Sequence, residues 1–192
     1  MNLTLHSRIQ EFALIIAHIR ASNAQNQETD PELEIKSFRE RLAQLISEHK
    51  NLYIVGNGGS AGVAAHAVTD FFNVAKIRAT TLHESSLLTC MANDFGYEHA
   101  VAKMLGQLLN PGDIVIAISS SGNSMNMRNA AIISREKKAF VLTLTGFSSD
   151  NPLRSLGDIN IWLDSCDYGF VEVGHQFILH NIADRLNKNL IG

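Results

Sequence analysis

Two segments of this sequence combine small side chains in a way that suits a bound anion. They are Val55-Gly56-Asn57-Gly58-Gly59-Ser60-Ala61-Gly62 and Ile118-Ser119-Ser120-Ser121-Gly122-Asn123-Ser124. Each follows a short apolar run and leads into a helical pattern. Glycine lets backbone approach a ligand closely, serine hydroxyls donate to oxyanions, and a helix start offers unpaired N–H groups at its positive dipole end. The spacing matches neither the Walker motif nor the dinucleotide Gly-x-Gly-x-x-Gly pattern, and no lysine follows the serine run, so no nucleotide cofactor is expected. Either loop alone could be an ordinary capped strand-to-helix turn; two of them in one sheet favour a binding site.

The elements that must position these loops are readable from periodicity. Residues about 5 to 21 and 32 to 49 place apolar side chains at helical spacing (Ile9, Phe12, Ile15 and Ile16, then Phe38, Leu42, Leu45 and Ile46), which predicts two opening helices. Residues 22–27 between them are polar and read as a connection, ending at Asp30-Pro31, a cap followed by a first-turn proline. From residue 52 short apolar runs alternate with helical stretches, at 52–55, 78–82, 114–118, 140–144 and 159–163. Five strands separated by helices predict a parallel sheet covered on both faces, with ligands at the carboxyl ends of the strands near a topological switch point.

Composition narrows the function classes. The chain has 192 residues, 45% hydrophobic and 18% charged, which suits one globular domain. A net charge of −3 gives no global pull toward nucleic acid. No apolar run is long enough to span a bilayer, and the first residues do not read as a secretory signal, so a cytoplasmic protein is expected. Cys90 and Cys166 are expected to be buried, inert thiols, and His6, His18, His49, His83 and His99 to be core or interface residues. Phe71-Phe72 reads as core or interface packing and Lys137-Lys138 as the solvated end of a helix.

With GNGGS at 56–60, ANDFG at 92–96, ISSSGNS at 118–124 and LTLTG at 142–146, the chain resembles the phosphoheptose isomerase branch of the sugar isomerase (SIS) family over nearly its whole length. The resemblance implies a flavodoxin-like, three-layer α/β sandwich with a five-stranded parallel sheet. Residues 1–50 would be helices packing on the core and a subunit interface, and residues 51–192 the SIS domain, in one structural domain. It implies a homotetramer with active sites between subunits and a phosphorylated sugar as substrate. Ser119, Ser120, Ser121 and Ser124 would bind the phosphate; Asn57, Gly58, Ser60, Asp94 and Glu172 would contact the sugar.

Aldose–ketose isomerisation moves a proton between adjacent carbons, so paired ionisable groups should face the loops. His66 and Asp70 lie four residues apart, on one helix face; Glu172, Gln176 and His180 form a second such stripe, with His175 one turn from Glu172. The resemblance nominates Asp70 and His180 for proton transfer, although the family usually carries Glu at the position of Asp70 and Gln at that of Glu172. In some members the four equivalent positions bind zinc. His66, Asp70, Glu172 and His180 make a two-histidine, two-carboxylate set suited to one divalent metal, zinc foremost. The segment between Asp70 and Asn93 is shorter than in the family and lacks an arginine expected near the substrate. A substrate-holding aspartate is replaced by Gly169, with Asp167 as a possible substitute if the loop shifts.

The leading expectation is an enzyme converting sedoheptulose 7-phosphate to D-glycero-D-manno-heptose 7-phosphate through an enediol. The alternatives are a non-catalytic SIS sugar-phosphate-binding or adaptor protein, of the kind that binds a replication initiator, and an isomerase of another sugar phosphate.

Overall fold

The computed structural model describes residues 4–187. The first helix, α1 (Leu5–Ala17), starts where Thr4 accepts a hydrogen bond from the Ser7 N–H, and it buries none of its residues. A short hairpin, β1 (Arg20–Asn23) and β2 (Glu28–Thr29), precedes α2 (Pro31–Ser47). Asp30 caps α2 by accepting from the N–H groups of Glu32 and Leu33, and Pro31 occupies the first turn, as the sequence predicts.

The alternating part follows as β3 (Asn51–Gly56), α3 (Gly59–Asn73), β4 (Arg78–Thr80), α4 (Ser85–Phe95), α5 (Tyr97–Leu108), β5 (Ile114–Ser119), α6 (Met125–Glu136), β6 (Phe140–Thr145), a single 3-10 turn (Pro152–Ser155), β7 (Ile159–Trp162) and α7 (Tyr168–Asp184). The strands form one sheet in the order β2-β1-β7-β6-β5-β3-β4. The five predicted strands are all present and mutually parallel.

The sheet has seven strands, not five, because the polar stretch read as a connection is a hairpin. Asn23 folds it: its Oδ1 accepts from the N–H groups of Gln25 and Gln27, and Asn26 takes φ 60°. The first helix stops at Ala17, and Arg20–Asn23 pairs antiparallel with β7, burying Ala21 and Ser22 and covering an edge that would otherwise be open.

Both sheet faces are covered, which explains the continuous apolar runs. Leu52, Ile54, Ile116 and Leu142 pack with Phe38, Leu42, Phe71 and Ile178 in one cluster. Tyr53, Val55, Val115 and Val141 pack with Met104, Leu105 and Met127 in the other. The Phe71-Phe72 pair divides: Phe71 is fully buried and Phe72 exposed. Lys137 and Lys138 sit at the exposed end of α6, as expected. Cys90 and Cys166 depart from expectation: both thiols are free and exposed, Cys90 on α4, which buries none of its residues, and Cys166 in the loop before α7. Among the described residues, no helix is long and apolar enough to cross a membrane.

Because Phe71 fills the space between α3 and the sheet, Phe71→Ala is expected to lower unfolding free energy by about 3–5 kcal/mol, measured by urea denaturation.

Candidate active site

In the sheet order, β3 lies between β4 and β5, so the chain leaves β3 in one direction for β4 and crosses back to β5. This is a topological switch point, and the loops after β3 and β5 flank it. The first is tight: a Cβ on Gly56 would sit 2.7 Å from the Ser60 carbonyl oxygen, and Gly58 takes φ 53°. In the second, the Gly122 N–H donates to Ser119 O at 3.0 Å, the Asn123 N–H donates to Ser121 Oγ at 3.2 Å, and Ser119 Oγ donates to Ser124 Oγ at 3.3 Å.

Between the loops lies a cavity of about 220 Å³ lined by Asn57, Gly58, Gly59, Ser60, Ser119, Ser120, Ser121, Ser124, Tyr168 and Glu172. Gly58 and Ser124 cap α3 and α6 without a side-chain hydrogen bond to the helix; in α6 the Met127 N–H is met instead by Asn126 Oδ1. The starts of α3, α6 and α7 all reach this cavity. No lysine or arginine lines it, so its capacity for an anion comes from hydroxyls, backbone N–H groups and helix dipoles. Ser120 Oγ is buried with no hydrogen-bond partner, a donor held ready at the cavity wall.

Behind the serine loop, Asn151 is buried and donates to Gly146 O and Ser148 O while accepting from the Arg154 N–H. A Cβ on Gly122, at φ 65°, would run into that fixed amide.

The ionisable residues gather farther along two packed helices, α3 and α7. Asp70, 9% exposed, lies with Oδ2 2.7 Å from His180 Nδ1 and 3.4 Å from His66 Nε2. One ligand atom from each of these three residues lies within 4.8 Å of the others, a grouping that could hold a metal ion. The hydrogen bond to Asp70 is the main cause that raises the His180 pKa above its ordinary 6.5.

Glu172, the fourth expected ligand, is not in this cluster. It lies two helical turns up α7 from His180, and its carboxylate rests against Gly59, in space that any side chain there would fill. Asp94 lies outside the cavity on α4, where it accepts from Asn93 Nδ2 at 3.0 Å and from the Cys90 thiol at 3.7 Å. Asp167, the expected substitute near Gly169, is engaged outside the cavity in this arrangement. It caps α7, accepting from the Phe170 N–H, and pairs with Arg8 at 2.8 Å. The Arg8 hydrogen bond, ahead of the cap, holds the Asp167 carboxyl below the usual range, and the Arg8 guanidinium lies 3.5 Å over the Phe170 ring. His175 is fully buried, with Nε2 donating to Thr145 O, and burial pushes its pKa down to about 4, so it is a neutral core residue.

Three residues not singled out in the sequence belong to the site. Tyr168 lines the cavity. Tyr97 and Asn126 both hydrogen-bond Asn57. The only signals were position: Asn126 in the first turn after the serine loop, and Tyr97 directly after ANDFG.

A sequence profile of the SIS domain matches residues 16–146. The chain belongs to the SIS domain family. It is similar to the phosphoheptose isomerase of Geobacter sulfurreducens, 30% identical over 184 residues that cover 92% of this chain and 97% of that one. A second relative, the phosphoheptose isomerase of Geotalea daltonii, is 31% identical over 93% of this chain and 94% of its own. The phosphoheptose isomerase structure from Francisella tularensis shares the fold with a TM-score of 0.82 at 21% identity, covering 96% of both chains. That from Neisseria gonorrhoeae matches with a TM-score of 0.74 at 25% identity, covering 95% of this chain and 98% of its own. The α/β SIS fold expected from the motifs is therefore present, with the hairpin as an addition to the predicted strands.

Two outcomes follow from this SIS site. Gly122→Ala places a side chain at φ 65° against Asn151, so it should cost about 1–3 kcal/mol of stability and remove the thermal shift produced by inorganic phosphate. Asp70→Asn should lower the His180 titration midpoint seen by NMR. With a raised folded pKa, the stabilisation His180 contributes is present in full below about pH 6.5 and is lost as pH rises through the folded value; Asp70→Asn should abolish that pH dependence.

Proposed function

We propose that this chain is an aldose–ketose isomerase that converts sedoheptulose 7-phosphate to D-glycero-D-manno-heptose 7-phosphate. The observation that carries the reading is the pairing of one serine- and glycine-lined cavity with one acid–base cluster on the same two helices. Ser60 and Asp70 are ten residues apart on α3, and Glu172 and His180 eight apart on α7, which separates cavity and cluster by roughly 12–15 Å along the helices. Such a span suits a sugar with several carbons between its phosphate and its reacting carbons.

In this reading Ser119, Ser120, Ser121 and Ser124 hold the phosphate. Asn57, Gly58, Ser60 and Glu172 face the sugar, with Glu172 accepting from its hydroxyls. Asp94 would reach it only by movement of α4 or by contact with a second subunit. The Asp70 carboxylate takes the proton from C1 of the ketose. The electrons of that C–H bond form the enediol double bond as the C2 carbonyl oxygen gains a proton from His180. Returning a proton to C2, as the O1 hydroxyl gives up its own, yields the aldose. His180 gives Nδ1 to Asp70, which leaves Nε2 to exchange protons with substrate, and the raised pKa keeps that nitrogen protonated to higher pH.

His66, Asp70 and His180 suit a divalent ion such as zinc, two imidazole nitrogens and a carboxylate oxygen being a common donor set. Bound there, it would take the place of the His180–Asp70 hydrogen bond and supply, instead of protonated His180, the positive charge that polarises the sugar carbonyl. A homotetramer is part of the same proposal. Leu5, Ile9 and Leu14 on α1, Phe72 on α3, and Val173 and Phe177 on α7 are exposed, and His66 and His180, on α3 and α7, are half-open. Further copies of the chain would cover these side chains. A cytoplasmic location completes the proposal, in keeping with two free thiols.

The test is incubation with sedoheptulose 7-phosphate in deuterated water, with and without zinc, following deuterium at C1 and C2. Wild type should exchange and form product; Asp70→Asn and His180→Ala should each lower the rate by about 10²–10⁴-fold. Binding without exchange or product, with or without metal, would overturn the heptose isomerase reading and favour a sugar-phosphate-binding role.

A further inference from the structure

Past the strand ladder that ends at Gly56 and Ile118, no backbone–backbone hydrogen bond among the described residues joins the two anion loops. Their separation depends on side chains. Asn57, in the first loop, and Asn126, in the first turn of α6, form a reciprocal amide pair. Asn57 Nδ2 donates to Asn126 Oδ1 at 2.8 Å, and Asn126 Nδ2 donates to Asn57 Oδ1 at 2.8 Å. Two parallel bonds fix both the distance between the loops and the plane in which the amides lie. The orientation is settled from one end: Asn126 Oδ1 also accepts from the Met127 N–H at 3.1 Å, so its oxygen faces the backbone and its nitrogen must face the Asn57 oxygen.

A third group completes this arrangement. The Tyr97 hydroxyl donates to the same Asn57 Oδ1 at 2.8 Å. An amide oxygen has two acceptor positions, so the Asn57 carbonyl is saturated, and one Nδ2 hydrogen remains for a ligand. Tyr97 opens α5 immediately after Gly96, at φ 81°, and α4 with Asp94 ends just before that bend. One asparagine side chain thus ties together three segments: the GNGGS loop, the start of α6 after the serine loop, and the corner that carries Asp94. Asn126 is 3% exposed, so an unpaired amide there would be costly, and the pair is held closed.

We propose that Asn126 and Tyr97 are positioning residues that hold Asn57 and, through it, set the spacing of the two anion loops and the placement of the Asp94 corner. The kinetic part of the test rests on the sugar-phosphate reading above; the structural part does not. Neither residue is assigned contact with the reacting atoms. They act by preorganising the cavity, so that a bound phosphate does not have to order the loops itself.

The variants are Tyr97→Phe, which deletes one hydroxyl, and Asn126→Asp, which still accepts from the Met127 N–H but cannot donate to Asn57. Each should raise KM for sedoheptulose 7-phosphate, and the inhibition constant of inorganic phosphate, by about five- to tenfold, the effect of one lost hydrogen bond. The value of kcat should change less. Both variants act through one carbonyl, so the double variant should lose less than the product of the single losses. Independently of activity, the wild-type side-chain amide protons of Asn57 should exchange slowly with solvent by NMR and faster in either variant, with the thermal midpoint of Tyr97→Phe nearly unchanged.

Unchanged KM and phosphate inhibition in an active enzyme would overturn the positioning role while leaving the isomerase reading intact. If wild type does not turn over the heptose phosphate, the substrate reading fails, and amide exchange alone decides the positioning role. Exchange as fast in wild type as in the variants would overturn it; slow exchange lost in the variants would support it.

Discussion

The parallel pairing of β3 with β5, from Leu52 opposite Ile114 to Gly56 opposite Ile118, is the contact on which the site depends. It sets two strand ends side by side at the point where the chain reverses its direction across the sheet, so the loops that follow face one another across a small gap. Both strands are apolar on both faces, and the helix clusters above and below hold them rigidly. From this frame α3 and α6 start close together with their N–H groups directed into the same space. In the proposed reading the serine end of the cavity, which no lysine or arginine lines, holds the phosphate by fixed dipoles and hydroxyls, with Glu172 at its α7 side. The absence of long cationic side chains also removes the cost of ordering them.

The second requirement is the packing of α3 against α7. It brings Asp70 and His180 into hydrogen-bond contact although they are 110 residues apart. Asp70 is largely buried, and an isolated carboxylate there would be costly, so the two histidines that face it are as much a structural condition as a chemical one. The start of α7 is held in turn by Arg8, which stacks on Phe170 and pairs with the capping Asp167. The N-terminal helix therefore acts on the site indirectly, by fixing the helix that carries Tyr168, Glu172 and His180. Glu172 shows how far such placement depends on detail. It reads as a metal ligand by its stripe on the helix, yet its carboxylate goes to the space left by Gly59.

Much of this protein was legible in its sequence for a simple reason: short-range rules dominate where they apply. Apolar runs buried on both faces, glycine at positions of positive φ, serines ahead of a helix, and the Asp30-Pro31 cap are each decided within a few residues. They settle the five parallel strands, the two anion loops and the i, i+4 faces that carry His66 with Asp70 and Glu172 with His180. The hairpin at residues 20–29 was not legible, because its strands are too short and polar to show a period. They exist as strands because β7 offers an open edge and Asn23 folds the turn. Only the tertiary structure decided that Asp167 is spent on Arg8 and that His175 is a neutral core residue. Each of those outcomes depends on a partner far away in the chain, and residue type carries no record of which partner arrives. The meeting of Asn57, Asn126 and Tyr97 is of the same kind, since three polar residues from three segments become one fixed unit only after the sheet has set the distances between them.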